Sequence, residues 1–194
     1  MESKLIEHIS RHIRLTDSEK NSILDFFKPV HIAKKKNLLE EGEPCRSQYF
    51  VEKGCLRLFF INDKGAEQTT QFAIENWWLA DYMSYGNQQA SAFYIQAVER
   101  SQVLSLDHYA LEKLLGEHPE MERYFRIMYQ RAYAASQFRI KYLYELSREE
   151  MYHQFISNYP GFAQRIPQYM LASFLGFTPE YLSEIRKKTF LKPV

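Results

Sequence analysis

Between Gln168 and Lys188 the run QYMLASFLGFTPEYLSEIRKK sets polar and charged side chains at intervals suited to gripping a phosphodiester backbone and reading base edges. Thr178 precedes Pro179, where an N-cap hydroxyl and the free amides of a helix start can meet a phosphate. Glu180 can accept a hydrogen bond from a cytosine amino group. Tyr181, Ser183 and Glu184 project along the same outward side. Arg186, Lys187 and Lys188 are candidate phosphate-binding cations, and a cationic last turn also suits the helix dipole.

Two short helices must hold those groups. In the first, Met170, Leu171, Phe174 and Leu175 recur at three- and four-residue steps, which predicts an apolar helical face. Gly176 stands where the turn needs a residue tolerant of positive φ. Leu182 and Ile185 give the second helix its inward side. The spacing of Ala172, Gly176 and Leu182 is that of a helix-turn-helix, which lays its second helix in the DNA major groove. An ordinary antiparallel helix pair with a cationic end is the alternative.

Charge distribution is compatible with phosphate contacts. The chain of 194 residues carries a formal charge of +1, but residues 131–194 hold nine Lys/Arg against five Asp/Glu, a balance of +4 that leaves −3 on the rest. Its 45% hydrophobic and 15% aromatic content predicts a folded globule. Cys45 and Cys55 are too few for a disulfide scaffold or a four-thiolate cluster, so reduced thiols in a cytoplasmic protein are expected. MESKLIEHISRHIR lacks the apolar core of a signal peptide, and no run is long enough to span a membrane.

Leu5, Ile6, Ile9 and Ile13 predict an amphipathic helix over 2–14, and T-D-S-E at 16–19 is a capping box for a second. His8 and His12 have a metal-compatible spacing but no third ligand nearby, so they read as surface histidines. From His31 to about Leu106, short Val/Ile/Phe/Tyr-rich runs alternate with turn signals such as Lys53-Gly54 and N-D-K-G at 62–65, which predicts an antiparallel sandwich or barrel. Trp77, Trp78, Tyr82, Tyr85, Phe93 and Tyr94 either line a pocket for a planar ligand or fill the barrel. Asp107 caps a short helix. Pro119 starts a long one, free of Gly and Pro to about Leu146, with a heptad-like row through Met128, Ala132, Ala135, Arg139, Tyr142 and Leu146. Ser147 and Glu150 form another capping box, and Pro160-Gly161 is expected to end that helix.

This order of elements resembles the cyclic-AMP receptor protein / fumarate-nitrate regulator (Crp/Fnr) family of bacterial transcription factors, over roughly Thr16 to Lys188. The resemblance implies an α+β fold: an N-terminal antiparallel β-roll of the cyclic-nucleotide-binding-domain type (a double-stranded β-helix) with helices before it, over 1–117; a connecting dimerisation helix, 118–147; and a helix-turn-helix domain, 148–194. It also implies double-stranded DNA and a second copy of the chain, joined through 119–146, as partners, with RNA polymerase a further candidate and no membrane. No catalytic residue is expected.

The effector cassette departs from the family's pattern. The family's Gly-Glu pair falls on Ala80 and Asp81, and its Arg-Ser pair on Ser91 and Ala92, with Tyr82 beside them. A phosphate in a half-buried pocket needs a cation or several donors, and the stretch 76–97 contains no Lys or Arg. Cyclic AMP is therefore not expected to bind tightly, and a small effector would be of another, unknown kind. Ser136 and Gln137 fall near where the family's long helix meets its effector. Glu184 stands where the family commonly has a guanine-reading Arg, and only Thr189 to Val194 follow, so the family's β-hairpin wing is expected to be absent or vestigial. Two rival readings follow from these departures and from the β-rich region: a ligand- or partner-binding β-roll without sequence-specific DNA binding, and a cupin-like enzyme. The latter needs clustered histidines, whereas the β-region offers only His31 before His108.

Overall fold

The computed structural model describes residues 3–190. Helix α1 (Lys4–Ser10) and helix α2 (Asp17–Leu24) lead in, the second opened by a complete Thr16/Glu19 capping box. Eight strands follow: β1 (Lys28–Ile32), β2 (Asn37–Leu39), β3 (Ser47–Lys53), β4 (Leu56–Ile61), β5 (Glu67–Ala73), β6 (Trp78–Leu79), then, after the short helix α3 (Tyr82–Asn87), β7 (Tyr94–Ala97) and β8 (Ser101–Asp107). They form two four-stranded antiparallel sheets, ordered β1-β8-β3-β6 and β2-β7-β4-β5. Helices α4 (His108–Glu117), α5 (Glu120–Glu145), α6 (Arg148–Asn158), α7 (Pro160–Arg165), α8 (Gln168–Leu175) and α9 (Pro179–Phe190) complete the chain.

Local chemistry explains the turns. Asn62 Oδ1 accepts from the amides of Lys64 and Ala66, closing the β4–β5 hairpin. Gly54, at φ +105°, has no room for a side chain, since a Cβ there would stand 2.3 Å from Ser101 Oγ. Pro160-Gly161 does not simply end a helix. Proline is tolerated at a first helical position, so Pro160 begins the one-and-a-half-turn α7 instead.

Two apolar cores result. One lies between the sheets and under α1, α4 and the start of α5, with Leu5, Phe50, Leu56, Ile95, Leu106 and Tyr124 fully enclosed. The other joins Cys55, Phe72 and Val98 of the β-region to Phe155, Phe162, Leu171, Leu175 and Ile185 of the C-terminal helices. The helix-turn-helix is thus packed on a sheet face.

His8 is not a surface histidine. It is buried, and its Nδ1 lies 2.9 Å from the Tyr124 hydroxyl, which also receives the Trp78 Nε1–H at 2.9 Å. Indole only donates, so the tyrosine oxygen accepts from Trp78, and its own hydrogen can serve His8 Nδ1 in the tautomer protonated on Nε2. Burial, aided by His12, Arg11 and Arg131, lowers the His8 pKa to about 4. Unfolding then takes up a proton below the unfolded value of about 6.5, so stability present at neutral pH drains as the pH falls toward 4. Between pH 7 and 5 the wild type is expected to lose about 1 kcal/mol more than His8→Gln, after allowance for solvent screening, in urea unfolding followed at both pH values.

Candidate functional site

The cassette forms around α3. Asp81 caps that helix: Oδ1 accepts from the amides of Met83 (3.1 Å) and Ser84 (3.3 Å), while Oδ2 accepts from Ser91 Oγ at 2.7 Å. Ser91 Oγ also accepts from the Phe93 amide at 3.0 Å. Both residues are buried, as is Ala80, whereas Ala92 is exposed. The fold therefore brings Asp81 and Ser91 together and lets them satisfy each other. A phosphate entering here would break that bond and meet a carboxylate, with no cation on the 76–97 stretch to offset it.

Other parts of the expected pocket are placed elsewhere. Tyr82 packs edge-on against Tyr129 of α5, at 5.3 Å between centroids. The six aromatics pack against different neighbours. Trp78 sits between Phe50 and Phe125, Tyr85 bonds the Leu106 carbonyl, Phe93 packs on Phe60, Tyr94 stacks on Phe59, and Trp77 meets Tyr159. Filling space against neighbouring sheet and helix residues separates them. Ser136 and Gln137 are exposed on α5 and make no hydrogen bond to the cassette among the described residues. Arg57 is a buried cation of the β-roll, but its fork is held by Gln96 Oε1 (2.7 and 3.1 Å) and Glu67 Oε2 (2.6 Å) over the Phe59 ring. Sequence gave no sign of it, because its partners lie on two other strands.

At the tip, Gly176 takes φ +76° and closes α8, and Thr178 Oγ1 accepts from the Tyr181 amide at 3.2 Å, capping α9. Thr178, Glu180, Glu184 and Lys187 are exposed, and Ser183 and Arg186 half-exposed. One residue departs from expectation. Tyr181 does not point outward: it packs edge-on against Phe177, with the Arg148 guanidinium 5.4 Å above its ring. Lys188 is exposed, with Nζ 3.1 Å from Glu149 Oε1 of α6, a surface ion pair that a phosphate could replace. The wing expectation falls largely on residues after Phe190, outside the described residues.

The long helix is also turned differently from the expected row. Arg139 lies over the Phe174 ring (4.2 Å), donates to the Phe174 carbonyl (2.8 Å) and bonds the Thr70 carbonyl, so it faces its own subunit. Tyr129, Tyr133, Ser136, Ile140 and Leu143, spaced 4, 3, 4, 3, are exposed instead. Of the expected row, Ala132 and Ala135 are exposed as well, and Arg139 is the member held inward.

A metal-compatible grouping does exist, though not at His8 and His12: Glu19, His118 and Glu120 place one ligand atom each within 4.8 Å of the others. His118 Nδ1 lies 3.5 Å from Glu120 Oε1, and its Nε2 3.1 Å from Ser22 Oγ, so hydroxyl and carboxylate already hold the ring between α2 and α5.

Residues 29–118 match the cyclic nucleotide-binding domain family. The chain is 26% identical to the anaerobic regulatory protein of Pasteurella multocida (strain Pm70) over 176 residues, 85% of this chain and 63% of that protein's length. It is 25% identical to the regulatory protein HlyX of Actinobacillus pleuropneumoniae, over 85% of this chain and 72% of that one. Among solved structures, FixK2 from Bradyrhizobium japonicum superposes with a TM-score of 0.74 at 16% identity, covering 84% of each chain. The c-di-GMP responsive global regulator CLP of Xanthomonas campestris gives 0.73 at 11%, covering 90% and 92%.

Proposed function

We propose that the chain, whose residues 29–118 match the cyclic nucleotide-binding domain family, acts as a homodimeric DNA-binding transcriptional regulator of the Crp/Fnr type whose β-roll answers to something other than cyclic AMP. One observation supports this most. The capped recognition helix α9 carries an exposed polar edge, while its inner residues Leu182 and Ile185 are anchored in the second core. That offers Thr178, Glu180, Ser183, Glu184, Arg186, Lys187 and Lys188 to DNA, with Tyr181 packed on Phe177 instead.

Selection of bound fragments from random duplex DNA tests the reading. The expected product is a two-fold symmetric site with half-sites about one helical turn apart. Glu180→Ala should then cost about 1–3 kcal/mol at one base pair of each half-site, whereas Lys187→Ala should weaken every sequence alike and flatten the salt dependence. A library that emerges unenriched would favour a β-roll that binds a ligand or partner without reading DNA. Activation through RNA polymerase is checked by transcription in vitro from the selected site.

Cyclic AMP titrated calorimetrically at near-physiological salt is expected to give no dissociation constant at or below the micromolar range. The closed Asp81–Ser91 pair is the reason. No helix among the described residues is long and apolar enough to cross a membrane, in keeping with action on cytoplasmic DNA.

A further inference from the structure

Arginines gather where the end of α1 meets the first turns of α5. Arg11 and Arg14 from the turn after α1, and Arg123 from α5, line a hollow of about 590 Å³ together with His12 and Glu120. The turn is fixed: the amides of His12 and Ile13 both bond the Ile9 carbonyl, and Ile13 is buried. Arg131, two turns along α5 from Arg123, places Nη1 3.3 Å from His12 Nε2. A guanidinium can only donate, so this nitrogen accepts and the imidazole is neutral. Burial first, then the charges of Arg131 and Arg11, lower its pKa.

None of these four arginines has an ion-pair partner among the described residues, although Lys20, Arg57, Lys113, Lys141, Arg165 and Lys188 each do. The helix dipole accounts for Arg11 at the end of α1. It disfavours Arg123, one turn into α5, where a cation meets the positive helix end. Glu120, the carboxylate at the rim, leans to His118 instead. All four cations are arginine, whose planar fork suits phosphate oxygens better than an ammonium does. The hollow has the volume of a small-ligand site.

We propose that this hollow is a second ligand site, separate from the cassette, that takes a compact oligophosphate anion. Two or more linked phosphates would match three arginines lining one hollow, and occupancy would tie α1 to the helix that carries the exposed apolar stripe.

Calorimetric titration of the full chain with inorganic triphosphate, in about 0.1 M salt, tests it, since ionic screening at that strength leaves close charge pairs intact. One site is expected, with a dissociation constant on the order of 10–100 μM. Arg11→Gln with Arg123→Gln should weaken it at least tenfold, and both side chains are exposed, so melting temperature should not move. Binding should also raise the His12 pKa, read by NMR, against the Arg11, Arg131, His8 and Tyr124 groups that face the ring. ATP binding as tightly as triphosphate would place recognition in the phosphates alone; tighter binding would add the nucleoside, and either supports the site. Four results would overturn it: no binding up to millimolar triphosphate; orthophosphate binding equally well; loss of binding on Lys187→Gln rather than on the arginine changes; or a DNA duplex displacing triphosphate from the same arginines.

Discussion

Ile140→Asp with Leu143→Asp is expected to leave a folded monomer that binds its selected DNA site at least 100-fold more weakly. Both side chains are about half exposed, at 55% and 51%, alongside Tyr133 at 67% and Tyr144 at 89%. Isolated apolar residues on a surface are ordinary, but a stripe at a 3.5-residue period along a 26-residue helix has the pattern of a coiled-coil seam. Burying one such side chain contributes about 1.5–3 kcal/mol, so four or so per subunit exceed the cost of bringing two chains together. Aspartates facing each other across the seam would reverse this. They cost the monomer little, because nothing of its own subunit covers these positions. DNA affinity falls because two linked half-sites gain about 10²–10⁴ over one. Sedimentation equilibrium, near-ultraviolet circular dichroism and a DNA titration on one preparation provide the check. A doubly substituted chain that still sediments as a dimer would place the seam elsewhere.

Which of two neighbouring rows on α5 turns outward is a matter of which side of the helix meets its own body. Periodicity identifies an apolar stripe, but rows through 128 and 129 are neighbours on one helix, and both contain suitable residues. Phe174 and the Thr70 carbonyl, distant in sequence, capture Arg139 and settle the rotation. The same rule separates the legible from the illegible throughout. The helix-turn-helix and both capping boxes are written in residues within a few positions of each other, and so were the hairpin turns. Helix α3 was not: YMSYGN holds a Gly and an Asn and has only six residues, and its start depends on the Asp81 side chain. Asp81 with Ser91, His8 with Tyr124 and Arg57 with Gln96 are separated by 10, 116 and 39 residues. No local pattern announces such pairs.

Arg165→Met is expected to lower stability by about 2 kcal/mol and to expose α6–α9 to protease while the β-roll stays protected. Arg165 closes α7, next to the helix-turn-helix, and reaches into the β-region. Its Nη1 and Nη2 bond the two Glu75 oxygens at 2.9 Å each, Nη2 bonds the Gly54 carbonyl at 3.0 Å, and the fork also holds Glu99. Methionine keeps the apolar stem but leaves two carboxylates facing each other beside a buried glycine turn. The figure is discounted because all three side chains are about one-third exposed. Lysine should not rescue, since a single ammonium cannot replace a fork serving three acceptors. Acid titration gives a second readout. Burial alone would raise the Glu75 pKa, but the Arg165 hydrogen bonds, the Gly54 and Glu75 amides and the Arg165 charge together outweigh it and hold it down to about 2. A carboxylate lowered on folding contributes stability above its unfolded value near 4.5 and loses it as the pH falls toward 2. The variant should therefore be flatter than wild type across that window, and adding Glu75→Gln and Glu99→Gln should restore much of the lost stability by removing the uncompensated charges. An Arg165→Met chain with an unchanged urea midpoint and an unchanged acid profile would mean that Phe72, packed against Phe162 and Phe174, holds the C-terminal helices to the sheet without help from this charge cluster.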